Sequence, residues 1–260
     1  MQTTIAILNT SLDLKPQAEM LARQLNLPIV DSEQTYDYLL VLTPHYLGLQ
    51  KAGAKSHPLY VDFLSPEMTR RRIEASLRRE ALARALGLKG HTHPSIVDAT
   101  AGLARDSFVL ACLGFEVQLL ERSPIIHALL ADGLKRAAQD PKVALIVARL
   151  HLAQTDAISW LKTHERVDYI YLDPMFPERR KSALVKKNMQ FFQDIVGDDT
   201  DAEALLQIAL TCANKRVVVK RPRLAATLTG PKPTLSSTGS TSRFDIYLTQ
   251  DAHGNHLPAF

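Results

Sequence analysis

The sequence predicts an α/β protein: a doubly wound, mostly parallel sheet preceded by a small N-terminal α/β lobe. Three observations predict it. From Ser95 onward, short apolar runs alternate with segments of helical spacing, as strand–helix–strand units do. The run Tyr169-Ile170-Tyr171-Leu172 is apolar throughout, as a strand buried on both faces must be, and Pro174 stops it at Asp173. The residues before Pro66 carry a shorter alternation of their own. The lobe is placed at residues 1–65 and the main domain at residues 66–260, led by a basic helix.

In the lobe, Thr4 to Leu8 reads as a strand and Lys15 to Leu25 as a helix, from the spacing of Ala18, Leu21, Ala22 and Leu25. Tyr38 to Leu42 is a buried strand closed by Thr43-Pro44, and Leu59 to Phe63 reads as a third strand. His45 and His57 are scattered and read as loop residues. Pro66 to Leu86 reads as one long helix ended by Gly87. Ile73, Leu77, Ala81 and Leu82 form its inner stripe; Arg70, Arg71, Arg72, Arg78, Arg79 and Arg84 form its outer face. Glu74 and Arg78 have pairing distance on a helix, but arginines outnumber acids, so the face is either solvated or phosphate-contacting.

In the main domain, Ile96-Val97 is a strand ending at Asp98, and Phe108 to Leu113 a helix stopped by Gly114. Glu116 to Leu120 is a strand ending at Glu121-Arg122. Ser123 followed by Pro124 is an N-cap with proline at the first helical position, opening a helix to Ala138. A helical piece restarts at Asp140-Pro141, and Arg149 to Ala153 is a strand. Thr155-Asp156 cap a short helix through Leu161, before the strand that ends at Asp173. Asp201 to Ala213 is helical, Arg216 to Lys220 is a strand, and Arg243 to Leu248 alternates and closes the sheet.

An apolar fraction of 46% is that of an ordinary globular protein, and a net charge of +4 points only weakly to nucleic acid. Cys112 and Cys212 lie in apolar helical contexts and read as core residues in a reducing compartment, with neither a disulfide nor a metal site expected. The start Met1-Gln2-Thr3-Thr4 lacks a basic leader, and no apolar run reaches membrane-spanning length. The expectation is a cytoplasmic protein with no membrane partner.

Asp98, Glu121, Asp156 and Asp173 each sit at or just after a strand end, and parallel strand ends share one edge of the sheet. Four acids crowded there call for a ligand. The loop after Asp98 holds one glycine, Gly102, and lacks the GxGxxG pattern, which disfavours a dinucleotide. Glu121 is placed to bind ribose hydroxyls, and Asp156 to accept from an adenine amino group. An adenosine ligand without pyrophosphate fits, and S-adenosylmethionine, a sulfonium cation, suits an acid-lined pocket.

Asp98-Ala99-Thr100-Ala101-Gly102, Leu119-Leu120-Glu121-Arg122, Asp173-Pro174-Met175-Phe176-Pro177, Lys181 to Lys187, Arg216 to Pro222 and Arg243 to Tyr247 together resemble the RsmJ family. These are bacterial methyltransferases acting on a guanine N2 of small-subunit (16S) ribosomal RNA. The match runs from residue 59 to residue 248; the N-terminal lobe matches loosely. The resemblance implies a Rossmann-like methyltransferase fold with a seven-stranded sheet, S-adenosylmethionine as cofactor, and the 16S rRNA or small ribosomal subunit as partner, with the target in the 3′-terminal hairpin. It places cofactor contacts on Arg105-Asp106, Glu121-Arg122, Asp156-Ala157 and Asp173, beside Asp98 and Gly102. Ala104 stands where the family usually has glycine.

Asp173-Pro174-Met175-Phe176 also resembles the Asn/Asp-Pro-Pro-Tyr/Phe loop of enzymes that methylate exocyclic or amide nitrogens. Asp173 and the Pro174 carbonyl can accept the N–H bonds of a poorly nucleophilic amine, and Phe176 can stack on its base. Arg179, Arg180, Lys181, Lys186 and Lys187 follow directly and read as phosphate contacts, reinforced by Lys220, Arg221 and Arg223. Adenine-N6 or protein-glutamine methylation, or a non-catalytic RNA-binding assembly factor on the same fold, are the alternatives.

Overall fold

The computed structural model describes residues 3–31, 36–90, 92–174, 195 and 201–249. Phe176 and the basic positions Arg179, Arg180, Lys181, Lys186 and Lys187 lie outside the described residues.

The lobe contains a four-stranded sheet of order β2-β1-β3-β4. Its strands are β1 (Ile5–Asn9), β2 (Ile29–Val30), β3 (Tyr38–Leu42) and β4 (Leu47–Lys51), with α1 (Lys15–Leu25) connecting β1 to β2. Leu59 to Phe63 is not a strand: Leu59 makes one isolated bridge to Leu49. The side chains beyond it are drawn to other partners. Val61 packs where a Cβ on Gly133 would come within 2.5 Å of its own, and Phe63 stacks on Phe108 at 4.8 Å.

The expected long helix is two. α2 (Pro66–Glu74) and α3 (Ala81–Leu86) are separated by a turn, with Ala75 in an extended conformation (ψ 125°). Each half has a different buried face to satisfy. α2 lies against α4 (Arg105–Cys112), whereas α3 buries Leu82, Ala83, Ala85 and Leu86 toward β9 (Ala213–Pro222) and β11 (Ser242–Leu248). One straight helix cannot present both, and the break turns Ile73 outward, 72% exposed instead of in the inner stripe.

The seven-stranded sheet has the order β10-β11-β9-β8-β5-β6-β7. Here β5 is Ile96–Asp98, β6 Val117–Glu121, β7 Leu150–Gln154, β8 Val167–Leu172 and β10 Leu235–Thr238. All pairings from β7 to β9 are parallel; β11 runs antiparallel to β9, and β10 to β11. Arg243 to Leu248 therefore does not close the sheet, because β10, a polar stretch at the edge, pairs outside it. The connecting helices include α5 (Pro124–Ala137), α6 (Ala144–Val147), α7 (Ala157–Thr163) and α8 (Ala202–Cys212).

The chain moves outward from β5 through β6 to β7, then crosses back to β8 on the other side of β5. That reversal makes a crevice at the carboxyl ends of β5 and β8, where open α/β sheets bind ligands. Lobe and main domain share one apolar cluster, running from Ile7 and Leu40 to Leu119 and Leu129. Asp132 on α5 accepts from the Leu47 amide (3.1 Å) and from Arg136 (2.8 Å), whose guanidinium lies over Tyr60. Among the described residues, no helix is long and apolar enough to cross a membrane.

Candidate active site

The carboxyl ends of β5, β6, β7 and β8 open on a cavity of about 580 Å³. That lies within the roughly 300–1,000 Å³ of small-molecule sites. Its wall brings together Asp98, Gly102, Arg105, Asp106, Glu121, Arg122, Asp156, Ala157, Asp173 and Pro174. Leu59, Glu67 and Arg71 close it from the α2 side, and Asp201, Ala202 and Leu205 from α8.

The loop after β5 is tied to both neighbouring strands. The Ala99 amide donates to the Tyr171 carbonyl (2.9 Å) and the Ala101 amide to that of Leu120 (3.1 Å). Gly102 and Ala104 both have φ of +52°, the left-handed region. Glycine tolerates it; alanine holds it at a cost of about 1–2 kcal/mol. The Asp98 carboxylate accepts from Ser107 Oγ (2.5 Å) and the Thr100 amide (3.2 Å). Burial pushes its pKa up to about 7, against the pull of those two hydrogen bonds, and Asp173 and Asp106 add to the rise.

Glu121 spans the loop. One oxygen accepts from the Gly102 amide (3.0 Å) and the other from the Ser123 amide (2.7 Å). Arg122 pairs with Asp201 at 2.7 Å and ties the end of β6 to the start of α8. Asp156 caps α7, accepting from the Ser159 amide at 2.8 Å. Arg105 pairs with Glu67 of α2.

At β8 the charges interlock. Asp106 receives Arg71 (2.8 Å), Tyr171 Oη (2.9 Å) and Lys220 Nζ (2.7 Å). Burial opposes its ionisation, but Lys220 and Arg71 outweigh burial and hold the carboxyl well below the usual carboxylate range. The same Lys220 Nζ lies 2.8 Å from Asp173 Oδ2, and the Asp173 amide donates to Thr100 Oγ1 at 2.6 Å. Burial raises the Asp173 carboxyl; Lys220 opposes the rise and Asp106 adds to it. The Asp173 side chain is 40% exposed toward the cavity, so water moderates the burial effect. Burial disfavours the charged form of Lys220 too, yet its two carboxylate partners hold its pKa well above the ordinary lysine value.

Sequence reasoning placed the strand-end acids correctly at one edge but missed Arg71, Thr100, Ser107 and Tyr171 as parts of the same cluster. Lys220 faces the cavity between two carboxylates instead of standing free for phosphate. Arg221 is 7% exposed, and its guanidinium donates to the Ala226 carbonyl at 2.6 and 3.0 Å, a buried placement that does not suit the phosphate contact expected of it.

The donor set suits S-adenosylmethionine: acids at four strand ends for a cationic, hydroxyl-bearing ligand, and a cavity of matching size. A family model of SAM-dependent methyltransferases matches residues 20–249. The chain is 50% identical over 251 residues to the ribosomal RNA small subunit methyltransferase J of Thioalkalivibrio sulfidiphilus, covering 95% of this chain and 98% of that one. It is 47% identical over 251 residues to the protein of that name from Coxiella burnetii, with the same coverage. The crystal structure of a SAM-dependent methyltransferase from Neisseria gonorrhoeae superposes with a TM-score of 0.75 at 34% identity, over 98% of this chain and 100% of that one. With this fold, these strand-end acids and this likeness along nearly its whole length, the chain belongs to the ribosomal RNA small subunit methyltransferase J family of S-adenosylmethionine-dependent methyltransferases.

Proposed function

We propose that the protein transfers a methyl group from S-adenosylmethionine to the exocyclic N2 of a guanine in the 3′-terminal hairpin of 16S rRNA, in the cytoplasm. The observation that carries this is Asp173-Pro174 on the cavity wall beyond β8, with the Asp173 amide fixed by Thr100 and its carboxylate by Lys220. The names of the relatives supply the small-subunit rRNA, and the resemblance of the Asp-Pro-Met-Phe loop supplies the exocyclic amine.

In this reading Glu121 receives the ribose hydroxyls, Asp156 and Ala157 face the adenine, and Asp98, Gly102, Arg105, Asp106 and Arg122 shape the remainder of the cofactor wall. When bound, S-adenosylmethionine supplies an electrophilic methyl carbon on sulfur. Asp173 and the Pro174 carbonyl accept the two N–H bonds of the target, turning its lone pair toward that carbon; as the methyl group leaves sulfur, which departs as the neutral thioether, the Asp173 carboxylate would take the proton the nitrogen sheds. Phe176 stacks on the base, and Arg179, Arg180, Lys181, Lys186 and Lys187 hold the RNA backbone. The catalytic domain runs from residue 66 to residue 260, backed by the lobe of residues 1–65.

The test is incubation with labelled cofactor and either naked 16S rRNA or 30S particles from cells lacking the enzyme. One N2-methylguanosine per RNA is expected, and Asp173→Ala should lower single-turnover transfer by about 100-fold or more with RNA still bound. Label appearing on adenine N6 or on protein would replace this reading with one of its alternatives.

A further inference from the structure

Lys220 lies where the reaction would need an anchor. β8 and β9 are parallel with Leu172 opposite Val219, so the next step along both strands sets Asp173 beside Lys220. Tyr171 lies opposite Val218, two residues back on each strand and therefore on the same face. Both Tyr171 and Lys220 reach the one oxygen Asp106 Oδ2, while Arg71 holds Oδ1. Donors from three elements thus immobilise Asp106, and Asp106 in turn immobilises the Lys220 ammonium.

We propose that Lys220 is a positioning residue that holds Asp173 ionised and in one orientation as the acceptor for the target amine. This rests on the methyl-transfer reading above. The geometry supports it in two ways. First, an ammonium has three donors, and two are committed to carboxylates at 2.7 and 2.8 Å with the side chain only 28% exposed, which suits a buried strut better than a phosphate contact. Second, the groups facing Asp173 are Asp98 from β5, Asp106 from α4, Tyr171 from its own strand and Lys220 from β9, with Arg71 from α2 on the same cavity wall. Arg71 is committed to the far oxygen of Asp106. Without Lys220, Asp173 would keep the Tyr171 hydroxyl as a donor but would have two carboxylates for neighbours and no cation in contact, and its charged form, the one that accepts an N–H, would be disfavoured.

The experiment compares Lys220→Met and Lys220→Gln with wild type in the full-length protein. Three quantities are read: the site-resolved ¹³C carboxyl titration of Asp173 without substrate, the pH profile of single-turnover methylation at saturating RNA, and the salt dependence of RNA binding. Both variants are expected to move the Asp173 titration and the acid limb of the profile upward by about 1–3 pH units. The RNA salt slope should stay as it is. Gln keeps donors for both carboxylates, so it tests the charge even if Met fails to fold. An unmoved titration with a shallower salt slope would overturn the proposal and return Lys220 to the phosphate backbone. If wild-type protein methylates no RNA, the functional reading fails, while the titration, which needs no substrate, still decides the role of Lys220.

Discussion

On the β5–β8–β9 wall of the cavity, Asp98, Asp106 and Asp173 share their surroundings: Lys220 bridges Asp106 and Asp173, both of those acids raise the pKa of Asp98, and Asp106 raises that of Asp173. On the β6–β7 wall, Glu121 and Asp156 hold separate pieces of backbone, the Gly102 and Ser123 amides for one and the start of α7 for the other. The same residue types thus form a coupled network on one side and independent brackets on the other. Changes on the first wall should be non-additive and felt in charge state. Changes on the second should add, and be felt in cofactor affinity.

The largest expected effect breaks the network at its centre. Asp106→Asn leaves Lys220 and Arg71 facing a neutral amide. Removing one partner of a buried ion pair costs about 3–5 kcal/mol, and side chains 20–28% exposed bring that down to about 2–3. Combined with Lys220→Met, the loss should fall short of the sum by about 1 kcal/mol or more. Denaturant melts of the two single variants and the double variant measure this, and strict additivity would remove the distinction between the walls. On the other wall, Glu121→Ala should weaken cofactor binding by about 1.5–3 kcal/mol, the worth of hydrogen bonds to a charged group. Paired with Asp156→Ala, it should add. Calorimetry on the folded variants settles both points; unchanged affinity would take Glu121 out of the site.

A third, smaller effect follows from Asp98. Its pKa is raised to about 7, above the unfolded value, so the folded state binds the extra proton. This group therefore lowers stability as pH rises from the ordinary aspartate range to about 7, and levels off above it. Between pH 5.5 and 8 the loss amounts to about 2 kcal/mol. In Asp98→Asn that part of the pH dependence should vanish, since Asn can still accept one of the two hydrogen bonds. A wild-type stability that is flat over this window, after allowance for the histidines, would contradict the burial argument.

How far these walls could be read from the sequence depends on how local each signal is. Tyr38–Leu42 and Val167–Leu172 announce themselves because a strand covered on both faces is apolar at nearly every position. The Ser123-Pro124 start of α5 is a local cap, and it holds: the Ser123 side chain accepts from the Ile126 amide. β4, with glycine and glutamine in it, and β10, Leu-Ser-Ser-Thr at the sheet edge, carry no such pattern; their pairing is set by what lies beside them. The same holds within the site. That Asp98, Glu121, Asp156 and Asp173 share an edge follows from parallel strand ends. That Arg71 and Lys220 turn inward to Asp106 depends on the break between α2 and α3 and on the register of β9 against β8, neither of which has a local signature.

The smallest effect lies at the hinge between the walls. Ala104 caps α4, which carries Asp106 and Ser107 of the coupled wall, and it ends the loop whose Gly102 is held by Glu121 of the other. Its φ of +52° is unfavourable for a residue with a Cβ, and it is 1% exposed, so packing and not solvent fixes it there. Glycine would relieve the strain, about 1–2 kcal/mol, and would cost part of that in unfolded-chain entropy and lost burial of a methyl group. The net expectation for Ala104→Gly is a stability within about 1 kcal/mol of wild type. A rise says that strain dominates and that the two walls are joined by a loop held under tension. A fall says that the buried methyl group is the joint. Cofactor affinity separates the walls in either case: if Glu121 alone fixes the Gly102 end, affinity should stay within about threefold of wild type while stability moves. A large loss of affinity in a folded Ala104→Gly protein would show that the strained turn itself aligns the two walls.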